Sequence, residues 1–305
     1  MTITDLLQLA TNAVVPLDGA WGTELSRRGL PAGMAPEQWN LDQPERVAEV
    51  PRAYAEAGAR IVLTNTFGGS RCKLEKNGLA AKAAEINRAG ARISRGAVPR
   101  DVFVCASVGP TGEFLAPLGD ISPAAMEDIF AEQIAALIEG GADMIVVETM
   151  TDLEETLCAV RAAKRLAPSM PVAASMTFDK GARGYATMMG VTPAQAAAQL
   201  TDHGADIIGT NCGHGVEQMI EIVRELRAHT GKPLWARPNA GLPQLVNGAT
   251  VFPDDPEAMA AKVPALVEAG AAFIGGCCGT TPEHIRLMAA ALPHQPSSAR
   301  QGASG

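Results

Sequence analysis

The chain has 305 residues, 47% of them apolar, 19% charged and 4% aromatic, with a formal net charge of −8 and a pI near 5.2. That is enough apolar material for a full core, and an acidic balance without a block of five basic residues argues against nucleic-acid or membrane-surface partners. Apolar runs such as "DMIVVETM" fall far short of the roughly 20 residues that span a bilayer. The opening "MTITDLLQLATNAVV" carries Asp5 and no basic stretch, which is unlike a secretory leader, so a cytoplasmic location with reduced cysteines is expected. Six cysteines in a chain of this length do not make a disulfide scaffold.

Taken in chain order, short runs rich in β-branched residues predict eight strands. They are Val14–Asp18, Arg60–Thr66, Val102–Val108, Met144–Thr149, Pro171–Thr177, Ile207–Cys212, Leu234–Asn239 and Phe273–Cys277. Segments with helical periodicity lie between them, among them "PERVAEVPRAYAEAG", "AAMEDIFAEQIAALIEGG", "EQMIEIVRELRAHTG" and "PEAMAAKVPALVEAG". Near-continuous apolar strands alternating with amphipathic helices indicate an α/β protein with a parallel sheet buried on both faces. "EAGARIV", "EGGADMI", "DHGADII" and "EAGAAFI" each set Gly-Ala before a strand, the signature of a helix ending in a left-handed glycine cap. Strand starts recur every roughly 27 to 46 residues, one βα unit each, which predicts a single (β/α)₈ TIM barrel. The competing doubly wound sheet is disfavoured, because the first strand runs into "GAWGTE" and not G-x-G-x-x-G. The expected division is a barrel over residues 1–292 and a Pro/Ser/Gly-rich disordered tail over 293–305.

In such a barrel the active site lies at the C-terminal strand ends. The predicted ends carry Asp18, Asn65, Ser107, Glu148, Asn211-Cys212, Asn239 and Cys277-Cys278. Two carboxylates, several asparagines and three thiols therefore converge on one mouth. The ends of strands six and eight lie within about 10 Å of each other. Gly275, Gly276 and Gly279 allow the backbone around the adjacent cysteines to leave regular strand geometry, so that both sulfurs face one centre. Three thiolates make a soft site for Zn²⁺ with one coordination position open, as in a catalytic rather than a structural zinc site. A thiol entering that position, with an ordinary pKa of about 8.5, is deprotonated yet stays nucleophilic, which favours S-alkylation over hydrolysis. Cys105 and Cys158 are expected in the core, while Cys72, His214 and His284 are left without a role.

The segments "PLDGAWGTEL", "LTNTFGGSRCKL", "SVGPTGE", "VVETM", "GTNCGHG", "RPNAG" and "GGCCGTTPEHI" resemble the homocysteine S-methyltransferase family. That family includes the homocysteine-binding module of cobalamin-dependent methionine synthase and the betaine–homocysteine methyltransferases. The likeness runs from about Val14 to Leu292. It implies that Cys212, Cys277 and Cys278 bind zinc and that zinc binds the homocysteine sulfur. It also implies that Asp18 and Glu148 hold the substrate ammonium and that backbone near Gly19 holds its carboxylate, with Asn239 a further candidate contact. No catalytic side chain is expected beyond the metal-bound substrate thiolate.

The methyl donor implied is betaine or a methyl-corrinoid partner protein, with S-methylmethionine as the alternative. An onium donor calls for an aromatic cage, yet the positions that follow strands two and four in the animal betaine enzymes look like Gly68 and Thr149 here, leaving Trp39 as one wall. Rival readings of a different class are a zinc hydrolase and a thiol-based zinc-binding protein. The sequence sets no oligomeric state, a homo-oligomer included.

Overall fold

The computed structural model describes residues 3–213, 215–246 and 249–293; the tail expectation for 293–305 falls, from residue 294 onward, outside the described residues. Eight parallel strands form the central sheet: β1 (Val15–Pro16), β2 (Ile61–Leu63), β3 (Phe103–Val108), β4 (Met144–Met150), β5 (Val172–Met176), β6 (Ile207–Asn211), β7 (Leu234–Arg237) and β8 (Ala271–Ile274). Each pairs with its sequence neighbour, and β8 pairs with β1. A parallel bridge between Leu17 and Ile61 joins β1 to β2 and closes the cylinder. The Asp18 N–H donates to Ile61 O at 3.0 Å and the Arg60 N–H to Pro16 O at 2.8 Å across the same seam. All eight strands expected from sequence are present.

Side chains alternate inward and outward along each strand. The inward set includes Leu17, Leu63, Cys105, Val146, Ala173, Ile207, Trp235 and Phe273, all fully or nearly fully buried. Trp235 and Phe273 lie with ring centroids 5.8 Å apart. Gly209 makes room for Trp235, since a Cβ there would stand 2.8 Å from the tryptophan Cβ. The N-terminal helix Ile3–Asn12 adds Leu6 to this inner cluster. The outward set packs against the surrounding helices in a larger cluster that includes Cys158.

Local chemistry sets the helix boundaries. Ser122, Thr192, Asp255 and Thr281 each cap a helix with a side-chain oxygen, and each is followed by proline at the first helical position. Gly58, Gly141, Gly204 and Gly270 end helices at φ between +89° and +105°, as the repeated Gly-Ala pairs predict. One predicted helix divides: 256–270 is two short helices, Pro256–Ala260 and Val263–Glu268. Pro264 is the cause, since it lacks an N–H and its ring collides with the carbonyl one turn back. Two antiparallel hairpins absent from the sequence reading, Asp179–Gly181 with Gly184–Ala186 and Gln244–Val246 with Ala249–Val251, are inserted after β5 and β7.

Because Trp235 fills the barrel interior, Trp235→Ala is expected to destabilise the fold by about 3–5 kcal/mol. Its indole N–H is buried without a partner, so Trp235→Phe is expected to cost far less. Urea unfolding of both variants at unchanged m-value checks this.

Candidate metal centre and adjoining pocket

The segment Arg237–Ala240, at the end of β7, templates the strand ends on either side of it. The Cys212 N–H donates to Arg237 O (3.1 Å), the Cys277 N–H to Pro238 O (2.7 Å) and the Ala240 N–H to Cys278 O (3.0 Å). The Cys278 N–H donates to Asn239 Oδ1 (3.0 Å), while Asn239 Nδ2 donates to Gly213 O (3.0 Å) and lies 3.8 Å from Cys212 Sγ. Cys212 itself adopts φ +61°, an uncommon conformation for a side-chain-bearing residue and one concentrated at functional sites. Gly276 is required by close approach, because a Cβ would sit 2.4 Å from Thr280 Oγ1.

These constraints bring the Sγ atoms of Cys212, Cys277 and Cys278 within 4.8 Å of one another. The three are half-buried and free of disulfides. Three sulfurs at that spacing fit a soft, tetrahedrally coordinating ion such as Zn²⁺ with one position left for another ligand. In the thiol cluster alone, hydrogen bonds from Cys277 and Cys278 draw the Cys212 thiol down to about 3, and the two donors are correspondingly pushed up. The cluster thus favours a thiolate at Cys212.

Beside the thiols lies a buried ion triad. Arg237 Nη2 donates to Asp18 Oδ1 at 2.7 Å and to Gly19 O at 2.9 Å, and Nη1 donates to Glu148 Oε2 at 3.1 Å. The second oxygen of Asp18 accepts from the Leu63 N–H (2.7 Å) and Trp21 Nε1 (2.9 Å); that of Glu148 accepts from Ser107 Oγ (2.5 Å). The triad carries one net negative charge when both carboxyls are ionised. Burial holds the Glu148 carboxyl up at about 7, against the pull of Arg237, and raises Asp18 as well. Sequence reasoning missed Arg237, although it stands two residues after the inward-facing Trp235 and so belongs to the inward face.

A pocket of about 760 Å³ opens over this floor. Cys212, Cys277, Cys278, Glu148, Arg237 and Gly19 line it, and residues 33–37 with 63–68 form a facing wall. Asp18 is fully buried and acts on the pocket through Arg237 and Trp21. Asn239 spends its amide on the cysteine loops, and Asn211 bridges Thr149 and Ser175. Asn65 bonds Pro36 O and Asn40 Oδ1. Trp39 corrects an expectation: it is in the core under Arg46, and Trp21 and Phe67 line the pocket instead. His284 caps its own helix, with Nδ1 facing Thr281 and Nε2 facing Asp254 O at 3.1 Å. His214 lies outside the described residues. Cys105 is in the inner core and Cys158 in the outer, as expected.

Fold and site together define a (β/α)₈ barrel enzyme with a three-thiol centre at its mouth. A family model described as homocysteine S-methyltransferase matches residues 15–292. The chain therefore belongs to the homocysteine S-methyltransferase family. It is 34% identical over 317 aligned residues to the methionine synthase of Mycobacterium tuberculosis, covering 98% of this chain and 26% of that one. The methionine synthase of Mycobacterium leprae is 33% identical, with 95% and 25% covered. The chain thus spans about a quarter of the length of these relatives. Among solved structures, the metallated form of the Escherichia coli homocysteine methyltransferase MmuM superposes with TM-score 0.78 at 25% identity, covering 94% of this chain and 99% of that one. The carboxyl transferase domain of Rhizobium etli pyruvate carboxylase, at 15% identity and TM-score 0.54, shares the fold alone. No helix among the described residues is long and apolar enough to cross a membrane.

Glu148 titrates higher in the folded state, near 7, than its ordinary 4.5. The folded protein therefore holds a proton there that the unfolded chain releases, and stability from this group is greatest below about 4.5 and lost as pH rises through 7. Glu148→Gln is expected to flatten that part of the curve, read as the urea midpoint of wild type and variant between pH 4.5 and 7.5.

Proposed function

We propose that this protein is a zinc-dependent homocysteine S-methyltransferase that forms methionine, with Cys212, Cys277 and Cys278 as the metal ligands. The observation that carries the reading is the convergence of three thiols within 4.8 Å on the wall of a 760 Å³ pocket that also exposes a buried carboxylate. When bound, zinc would supply a Lewis acid that lets the incoming thiol lose its proton at neutral pH while staying nucleophilic.

The chain's own residues do the rest. Glu148 offers a carboxylate to the substrate ammonium, and Asp18 and Arg237 fix its direction from below. The triad's single net negative charge is neutralised by one ammonium, which favours an amino-acid thiol over a simple alkyl thiol. Backbone at Gly19, on the pocket wall, is placed to meet the substrate carboxylate. Asn239 and the Pro238 carbonyl hold the cysteine loops so that the sulfurs need not reorganise. In the transfer, sulfur forms a bond to the donor methyl carbon as the carbon–leaving-group bond breaks, and the leaving group departs with the electron pair. The thiol proton goes to solvent, so no protein base is needed at the reacting atoms.

Betaine and a methyl-corrinoid partner protein are the donors in view, with S-methylmethionine as the alternative. The likeness to two methionine synthases supports methionine as the product. The likeness to MmuM, a homocysteine methyltransferase, supports homocysteine as the acceptor. A zinc hydrolase is the weaker reading: Asp18 and Glu148 are both tied to Arg237, and neither is free to work as a water-activating base.

Purified, reduced protein is expected to carry one zinc per chain, and homocysteine to add one sulfur to the zinc coordination seen by X-ray absorption. Chelation should abolish methionine formation and zinc should restore it, with Cys212→Ser and Cys277→Ser losing metal and activity together. Undiminished turnover by zinc-free protein would refute the reading.

A further inference from the structure

The acceptor chemistry above uses the thiols and the triad but leaves one buried charge of the pocket unexplained. Glu37 is 5% exposed and lines the wall. Its carboxylate accepts the Gly68 N–H at 2.6 Å. A Cβ on residue 68 would stand 2.9 Å from Glu37 Oε1, so a larger residue there would have to displace the carboxylate. The turn bearing Glu37, Pro36–Gln38, is pinned from behind, with Asn65 Nδ2 donating to Pro36 O at 2.7 Å and to Asn40 Oδ1 at 2.9 Å. Asn40 Nδ2 returns bonds to Asn65 O (2.8 Å) and Ile86 O (3.1 Å). Five hydrogen bonds across three segments thus hold the turn, and one of them the carboxylate itself, at the pocket wall.

The Glu37 carboxylate has two backbone amides, its own and that of Gly68, and no ion pair among the described residues, and a buried carboxylate is costly unless a cation completes it. Burial raises the Glu37 carboxyl, and Lys73 counters only part of the rise. Lys73 is itself half-buried on the same pocket wall, and its ammonium makes no ion pair of its own among the described residues. Phe67, 38% exposed, and Met34 add apolar surface beside them. The outer pocket therefore offers a fixed negative site, a separate positive site and apolar contacts between walls. Among the described residues no aromatic cage lines it: Trp21 and Phe67 are its aromatic side chains.

We propose that Glu37 and Lys73 form the methyl-donor subsite, Glu37 taking a cationic onium centre and Lys73 the carboxylate of the same small zwitterion. The inference rests on the methyltransferase reading above and narrows its donor to a free molecule with both charges. A carboxylate here does the work an aromatic box does elsewhere, at the position a side chain on residue 68 would otherwise fill. On transfer, the carbon–onium bond breaks with its electron pair and the sulfur–carbon bond forms. A sulfonium donor leaves as a thioether, whose uncharged sulfur no longer pairs with Glu37, which promotes its release; an ammonium donor leaves as a tertiary amine that takes a proton from solvent.

The test uses two sulfonium probes of similar size, dimethylsulfonioacetate, which has a carboxylate, and trimethylsulfonium, which has none. The rate constant kcat/KM for each is measured at saturating homocysteine in zinc-loaded wild type, Glu37→Gln, Lys73→Met and Gly68→Ala, with homocysteine Kd taken separately by calorimetry. Glu37→Gln keeps an acceptor for the Gly68 N–H and removes only charge, so a structural role alone leaves its rates unchanged. Wild type is expected to use both probes and to prefer the zwitterion. Glu37→Gln and Gly68→Ala should lower both rates about tenfold or more, and Lys73→Met should erase the preference by a similar factor. Homocysteine Kd should move less than about twofold in every variant. Unchanged probe rates in Glu37→Gln, a homocysteine Kd that shifts with it, or a wild type that takes methyl only from methylcobalamin would each overturn the subsite. Failure of wild type to bind homocysteine would instead sink the acceptor reading on which it rests.

Discussion

Everything at the mouth of this barrel depends on the way four consecutive residues, Arg237–Ala240, tie β6 to β8. Their backbone and one asparagine side chain bond to Cys212, Cys277 and Cys278 from the strand between them. The same segment sends the Arg237 guanidinium across the barrel to β1 and β4. Thiols and carboxylates are therefore positioned by one element, and neither group can shift without the other. A three-sulfur site built on two flexible loops would lose this coupling. Here the cysteine amides are anchored at 2.7–3.1 Å, and the φ of +61° at Cys212 persists because its neighbours over-determine it.

The electrostatics follow from burial. Two carboxylates inside a barrel would repel and protonate, and a lone guanidinium would be poorly solvated. Joined, they leave a single negative charge next to the thiols. Glu148, unlike Asp18, lies on the pocket wall, with its direction fixed by Arg237 and Ser107. The sequence treats the two carboxylates alike; in the structure Asp18 is buried beneath Arg237 and Glu148 alone of the two faces the pocket.

The fold was legible because its signals are local. Eight apolar runs and four Gly-Ala caps each report on their own few residues, and the barrel follows from their count and spacing. The three cysteines were legible because strand ends of a barrel share one face, so residues 212 and 277 need no contact map to be brought together. What escaped were features set by partners distant in sequence. Arg237 reads as the end of a strand until Asp18 and Glu148 are placed opposite it. Trp39 reads as a pocket wall until its helix is packed, when Arg46 covers it and the ring turns into the core. The hairpins after β5 and β7 have strands of only three residues each, too short for a hydrophobic alternation to announce them.

Glycine at position 68 shows how the absence of a side chain can be the informative residue. Read along the sequence, it is a gap in a box that ought to surround a cation. In three dimensions the gap is filled by the Glu37 carboxylate, 2.9 Å from where a Cβ would stand. Gly209 and Gly276 serve the same end beneath Trp235 and Thr280. At all three places the chain omits a side chain where another group enters. At the pocket wall, residue 68 and the Glu37 carboxylate compete for one space. The two positions make sense only together, which is why reading either one by itself leaves the outer pocket unexplained.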